Sequence, residues 1–336
     1  MDSRLAIAGV VGACWLGAWS VADAAGPQQP EFRSTTEVVR VYATVQDESG
    51  HLVTDLQQED FELRDRGSVV PLAVFSREPQ PLTVAIMTDL TGALFDRQTY
   101  DVLHEALDAF IDRLGPEDRV SVGWFTKGDV VPGRDLLKDR GSMKAAVRTE
   151  VTPARANPRL NATQASISVG AAGRPLWNAV GAAMQSLKAT SGRKVVLVLT
   201  NGPNTTSLRG FPAVREIRAM APTDEFMIYG VVGFEPRHAE GLLRVDSQQY
   251  EYPLKSVTDE TGGGLIDVSG QRASPRMPLS RGLVAVMAGV ADELRQQYTL
   301  GFVPTKRDGK VSKIEVKSNR PNTKVWARQT YVAPAE

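Results

Sequence analysis

The segment after residue 38 alternates apolar and polar side chains with the period of a β-strand. Val39, Val41, Ala43 and Val45 fall on one side of that alternation, which predicts one buried face. A turn is predicted at residues 47–50, and two short apolar runs, 61–63 and 69–75, follow it. Residues 33–78 are therefore expected to form an all-β segment.

From residue 82 the pattern changes to alternating strands and helices. Apolar runs predict strands at 82–88, 119–125, 195–199 and 226–232. Apolar residues at helical spacing predict helices at 103–114, from Leu176 onward, at 214–220, at 254–261 and at 283–294. The run 195–199 has no polar alternation, as expected for a central parallel strand covered on both faces. The alternation predicts an α/β domain over residues 80–297, with a doubly wound, mostly parallel sheet.

A strand pattern returns after Gln297. Strands are expected at 298–303, 311–316 and 324–331. Segments shorter than about 70 residues rarely fold alone without disulfides or metals. The two β segments, 33–78 and 298–333, are therefore expected to pair into one β-sandwich into which the α/β domain is inserted. Two unrelated β appendages are the alternative.

The amino terminus has the pattern of an export signal. Arg4 precedes an apolar segment, 5–19, and Ala22-Asp23-Ala24 places small residues where a signal peptidase cleaves. We expect residues 1–24 to be a signal peptide and the mature protein to be periplasmic or secreted. An uncleaved membrane anchor is one alternative, and lipid attachment at Cys14 is another.

Composition excludes several classes of function. The 39 basic residues equal the 39 acidic residues in number, so no net field favours nucleic acid. Cys14 is the single cysteine and lies in the signal segment, which leaves the mature chain without disulfides or cysteine ligands. The three histidines are far apart, at 51, 104 and 238, and no Gly-x-Ser-x-Gly or phosphate-loop motif occurs. The sequence therefore favours a protein that is not an enzyme.

Three loop segments carry a resemblance to a known family. Asp89-Leu90-Thr91-Gly92-Ala93 follows one predicted strand, Gly173 to Ala179 opens a predicted helix, and Thr200-Asn201-Gly202 follows a second strand. In this order they resemble the ion-site loops of the von Willebrand factor type A domain, which has a Rossmann-like sheet. The flanking segments resemble an exported bacterial family with this domain, abundant in acidobacteria.

The resemblance implies a divalent-cation site that has lost most of its ligands. Asp89 matches the first motif position and Thr91 keeps a hydroxyl, but Ala93 lacks one, Arg174 stands at the position of a threonine, and Asn201 replaces an aspartate. A cation about 4 Å from a guanidinium would meet repulsion of roughly 4 kcal/mol at an effective dielectric near 20. We therefore expect a metal-free site, without cofactor, in which Arg174 pairs with Asp89.

Two alternatives remain open at this site. A weak Mg²⁺ site could be retained on Asp89 and Thr91. The alignment of residues 173–175 could also shift, so that hydroxyls come instead from Thr163, Ser166 and Ser168.

The functional expectation is an exported, non-enzymatic module that binds an unknown protein or cell-envelope component through these loops. A membrane contact is expected only if the signal segment is uncleaved. The alternatives are a weakly Mg²⁺-dependent adhesion domain, an enzyme on the same scaffold, and assembly with another copy of the chain. Asp96, Asp112 and Asp118 are interpreted as solvated carboxylates, and Trp177 as a core residue.

Overall fold

The computed structural model describes residues 38–90, 97–126, 129–152, 175–200, 212–234, 248–268 and 279–335. The strands in these ranges are β1 (Val39–Asp47), β2 (Phe61–Asp65), β3 (Ser68–Val70), β4 (Leu72–Ser76), β5 (Leu82–Asp89), β6 (Arg119–Phe125), β7 (Val130–Val131), β8 (Arg193–Leu199), β9 (Met227–Val232), β10 (Leu265–Asp267), β11 (Tyr298–Phe302), β12 (Val311–Ser318), β13 (Thr323–Ala327) and β14 (Thr330–Val332). The helices are α1 (Arg97–Asp112), α2 (Arg140–Glu150), α3 (Leu176–Leu187), α4 (Val214–Thr223), α5 (Gln248–Glu260) and α6 (Leu279–Gln296).

The middle of the chain forms a six-stranded sheet in the order β10-β9-β8-β5-β6-β7. Neighbouring strands run parallel, except that the edge strand β7 is antiparallel to β6. Counted along this sheet alone, the order is 6-5-4-1-2-3, which is the doubly wound order read from the opposite edge. The prediction of a doubly wound, mostly parallel sheet is confirmed.

Both faces of this sheet are covered because its strands are apolar on both sides. Val84 and Ile86 of β5 pack in one core with α1, α2 and α6, whereas Ala85 and Met87 pack in a second core with α3, α4 and α5. Trp177 is 7% exposed and belongs to the second core, as predicted. Residues 195–199 are fully buried, as expected for a central strand with helices on both faces.

The two flanks together form the predicted β-sandwich. Its sheets have the orders β13-β1-β11-β4 and β14-β12-β2-β3, so each sheet combines strands from both ends of the chain. β1 is antiparallel to β11 and β13, and β2 is antiparallel to β12. A separate core fills the space between the sheets, where the Phe61 and Tyr298 rings meet edge to face with centroids 5.0 Å apart. The alternative of two unrelated β appendages is wrong.

Two segments predicted as single strands are each divided between the two sheets. The run 69–75 breaks at Pro71, which has no N–H to donate, so that β3 pairs with β2 and β4 pairs with β11. The run 324–331 breaks at Arg328, whose backbone forms a bridge with Thr261 of the α/β domain. In both cases the chain passes from one sheet to the other at a residue whose backbone does not continue the hydrogen bonding of the first sheet.

Asp118 corrects the interpretation of the carboxylates. Its side chain is fully buried and accepts hydrogen bonds from the Leu82 N–H (2.8 Å) and the Gly115 N–H (2.7 Å). Arg295 Nη1 lies 3.2 Å from the same carboxylate. Asp112, by contrast, keeps 54% of its side chain exposed, and Asp96 lies outside the described residues.

Among the described residues, no helix combines the length and apolarity needed to cross a bilayer. The predicted signal peptide, 1–24, lies outside these residues. The domain boundaries at 78–80 and 297–298 remain a prediction.

Candidate binding site at the carboxyl edge of the sheet

The switch point of the doubly wound sheet lies between β5 and β8. These strands are parallel neighbours, yet the chain after β5 leads to β6 on one side and the chain after β8 leads to β9 on the other. In open α/β sheets the crevice that opens at the carboxyl ends of two such strands is the usual ligand position. The last residues of β5 and β8 therefore define the candidate site.

Asp89 and Thr200 meet at this point. Asp89, the last residue of β5, is 2% exposed, and its Oδ2 accepts a 2.7 Å hydrogen bond from the Thr200 hydroxyl. Thr200 follows β8, is fully buried, and is fixed by its backbone N–H, which donates to the Val231 carbonyl at 3.0 Å. A carboxylate held inside the protein needs such partners to offset the loss of hydration.

The other predicted site residues, Thr91, Ala93, Arg174 and Asn201, lie outside the described residues, as do Thr163, Ser166 and Ser168. The described neighbours of two of them are placed. Leu90, which precedes Thr91, donates its N–H to the Phe125 carbonyl at 2.8 Å, and Thr200 precedes Asn201. The structure thus brings Asp89 to the expected edge. The pairing of Asp89 with Arg174 remains a prediction.

Close to the site, α3 packs tightly against Pro212. Asn178 of α3 is 1% exposed, and its Nδ2 donates to the Pro212 carbonyl at 3.1 Å. A Cβ on Gly181 would lie 2.7 Å from the Pro212 Cβ, so glycine permits this close approach. The first turns of α3 are therefore held against Pro212, which is the first described residue after 201–211.

Sequence reasoning missed three polar residues at this edge. Besides Thr200, they are Thr126 and Asp129, which flank the turn from β6 to β7. The Thr126 Oγ1 and the Asp129 Oδ2 are buried and have no hydrogen-bond partner among the described residues. Burial raises the pKa of the Asp129 carboxyl, which favours the neutral form. Thr126 and Thr200 could have been identified from the sequence because each is a polar residue directly after an apolar strand.

Of the predicted residues of the divalent-ion site, the described part of the chain contains Asp89. Mg²⁺ takes six oxygen ligands in near-octahedral geometry, with carboxylates among them. Here the Asp89 carboxylate already accepts the Thr200 hydroxyl, and the described part of the chain contains no group of three or more His, Cys, Asp or Glu side chains placed to hold a metal.

No family model and no curated protein matches the chain. Among solved structures, it is similar to a von Willebrand factor type A protein from Catenulispora acidiphila, with 16% identity and a TM-score of 0.46, over 90% of this chain and 64% of that one. It is also similar to VWA2, the ArnB paralog of Sulfolobus acidocaldarius, with 10% identity and a TM-score of 0.38, over 89% of this chain and 76% of that one. The von Willebrand domain of the Porphyromonas gingivalis type V pilus tip protein Mfa5 is similar with 10% identity and a TM-score of 0.40, over 64% of this chain and 95% of that one. At these low values the fold is assigned from the strand order of this chain, and these three neighbours among solved structures are von Willebrand factor type A proteins.

Proposed function

We propose that this protein is an exported, non-enzymatic module that binds another protein or a cell-envelope component through the loops at the carboxyl edge of its α/β sheet. The supporting observation is the buried Asp89–Thr200 pair at the switch point, at the base of segments 91–96 and 201–211. The site is a degenerate ion site without metal, in which the guanidinium of Arg174 takes the place of the cation.

A binding role fits this chemistry better than catalysis. The Thr200 hydroxyl is fully buried and its proton is directed to Asp89, so neither group is accessible to a substrate. A catalytic nucleophile must instead present its oxygen to the reacting atom next to a base. The pair stabilises the base of the loops and leaves partner contacts to the loops themselves.

Export is supported by the pattern of residues 1–24. We expect the purified native protein to begin at or near Ala25, which an intact-mass measurement tests. A mass that retains Met1 would indicate the anchored form.

Site-specific photo-crosslinking tests the binding role. A crosslinker at Thr205, within segment 201–211, should capture one envelope partner in repeated pull-downs of the mature chain, with or without a chelator. The matched control carries the crosslinker at Val69, which is 58% exposed and belongs to the sandwich. Equal capture from both positions would contradict a partner at the carboxyl edge, and loss of capture with chelator would favour the Mg²⁺-dependent alternative.

The metal-free pairing has its own test in Arg174→Ala. Removing the guanidinium should leave the buried Asp89 carboxylate without a counter-charge and lower the free energy of unfolding by about 2 kcal/mol or more. Arg134→Ala, at an exposed position, is the control and should change stability by less than about 0.5 kcal/mol. Equal stability of the two variants in urea would refute the pairing.

A further inference from the structure

A groove of about 630 Å³ lies between the sandwich and the α/β domain, at the amino ends of the parallel strands. Its walls include residues of β12 and β13 and residues 328–330, where the chain passes from β13 to β14. A smaller cavity lies next to it and is also lined by Arg328 and Thr330. Glu225, which contacts Arg328, comes just before β9 and so lies at the edge opposite to Asp89. The groove is therefore separate from the carboxyl-edge site.

Arg328 is a buried cation that lines both cavities. It is 8% exposed, and only its Nη2 has partners, the Arg40 carbonyl and the Glu225 carboxylate at 3.1 Å. Its Nε and Nη1 have no hydrogen-bond partner among the described residues. Burial lowers the pKa of this guanidinium. The Nε and Nη1 atoms have almost no accessible surface, so a ligand in the groove meets the exposed cations at its rim instead.

The charges that line the groove favour an anion. Four cations, Arg64, Lys313, Lys324 and Arg328, line the groove together with two carboxylates, Asp259 and Glu315. Two of the cations are paired, Arg64 with Glu62 at 2.7 Å and Arg328 with Glu225 at 3.1 Å.

Both carboxylates already have cationic partners. Lys255 lies 2.5 Å from Asp259, and Lys317 lies 3.1 Å from Glu315. Lys313 and Lys324, in contrast, make no ion pair with any described residue, so their charge is available to a ligand.

The shape of the groove favours an extended chain over a small ion. β13 is the edge strand of its sheet, paired with β1 on one side, and residues 324–327 line the groove. An edge strand offers unpaired N–H and C=O groups to which a further strand can add. Trp326 supplies an apolar wall, with Lys324 Nζ 4.2 Å from its ring centroid.

We infer that this groove binds an extended acidic peptide segment of a partner protein, which adds to β13 as a strand and places its carboxylates against Lys313 and Lys324. These two lysines at the rim attract the acidic side chains and bind them in charge-assisted hydrogen bonds. This site is independent of the loops at the carboxyl edge.

The test uses the full mature chain and three blocked hexapeptides in which one, two or three glutamates alternate with valines. Fluorescence polarisation of the labelled peptides should show affinity that rises with the number of glutamates and falls with salt. The glutamine versions should bind at least about tenfold more weakly, since they keep the shape of the glutamates but lose their charge. Backbone N-methylation of the glutamate peptides should also weaken binding if a strand is added to β13.

Charge reversal at the rim is the decisive variant. The double variant Lys313→Glu with Lys324→Glu should weaken the peptide by at least about tenfold. Its matched control, Lys306→Glu with Lys310→Glu, makes the same charge change at exposed positions of the same sandwich outside the groove and should stay within about twofold.

Several results would overturn the inference. They are equal affinity for glutamate and glutamine peptides, equal effects of the rim and control variants, and no binding of any peptide at about 1 mM. Binding of polygalacturonate without binding of peptide would assign the groove to an anionic polysaccharide instead, and binding of acetate alone would reduce it to a simple anion site.

Discussion

At the scale of single residues, the least expected feature is a charged network inside the protein, where the sandwich meets the sheet. Arg193, at the start of β8, is 5% exposed, stacks its guanidinium 4.1 Å from the Tyr42 ring centroid and donates to the Leu294 carbonyl at 2.9 Å. Close by, the Glu293 carboxylate accepts hydrogen bonds from the Tyr229 hydroxyl (2.8 Å) and the Thr44 hydroxyl (2.9 Å). The network connects β1 of the sandwich to β8, β9 and α6.

Glu293 should give this protein a pH-dependent stability. Burial raises its pKa above the ordinary 4.5, while the bonds from Tyr229 and Thr44 and the charge of Arg193 oppose that rise. As pH rises above 4.5, the unfolded carboxyl loses its proton before the folded one, so folding takes up a proton and stability falls through the folded pKa.

Glu293→Gln removes that titration and should flatten the profile. Urea unfolding between about pH 4.5 and pH 7 should show the native protein losing stability relative to the variant as pH rises. A difference between the two proteins that stays constant over this range would contradict the raised pKa.

At the scale of secondary structure, Asp118 joins three elements. It follows α1, binds the first N–H of β5 and lies against Arg295 of α6. Asp118→Ala would leave these buried partners without an acceptor and should cost about 3 kcal/mol or more. Asp112→Ala, which breaks only the half-exposed pair with Lys144, should cost less than about 0.5 kcal/mol. Similar urea midpoints for the two variants would contradict the bracing role of Asp118.

Elements with a strong apolar pattern could be predicted from the sequence, and weak ones could not. The strand 119–125 and the helix containing Leu103, Leu107 and Phe110 were predictable because their apolar residues are dense and regularly spaced. α2 was missed because only Met143 and Val147 are buried in its eleven residues. Its Asp139 N-cap, which accepts the Ser142 N–H at 2.8 Å, was the available signal.

The candidate site could be predicted only in part for a related reason. Asp89 was placed because residues 89–93 follow an apolar strand and resemble the first ion-site loop of the von Willebrand factor type A domain. The Asp89–Thr200 bond depends on β5 and β8 being neighbours across more than a hundred residues, which local patterns do not encode. The charge of Asp118 suggested solvent exposure, but tertiary contacts buried it.

At the scale of the whole molecule, the α/β sheet and the sandwich have separate hydrophobic cores. The two cores of the α/β sheet take their buried residues from 82–294, and the sandwich core takes its own from 39–70 and 298–333. A fragment of residues 80–297 should therefore fold alone, with cooperative melting at a lower temperature than the full chain, because Arg193 and Glu293 lose Tyr42 and Thr44. A fragment without a cooperative transition in circular dichroism would show that the sandwich is required for folding.

The central claim is that the carboxyl-edge site works without a divalent ion, and titration with Mg²⁺ tests it most directly. Calorimetry and melting of the native chain should show no Mg²⁺ effect, whereas Ala93→Ser with Arg174→Thr and Asn201→Asp should create one. At about one hundred times its dissociation constant, a bound ion adds about 2.7 kcal/mol, which is easily measured as a shift in melting temperature. Binding of Mg²⁺ by the native chain at about 1 mM or tighter, lost on Asp89→Asn, would contradict the account.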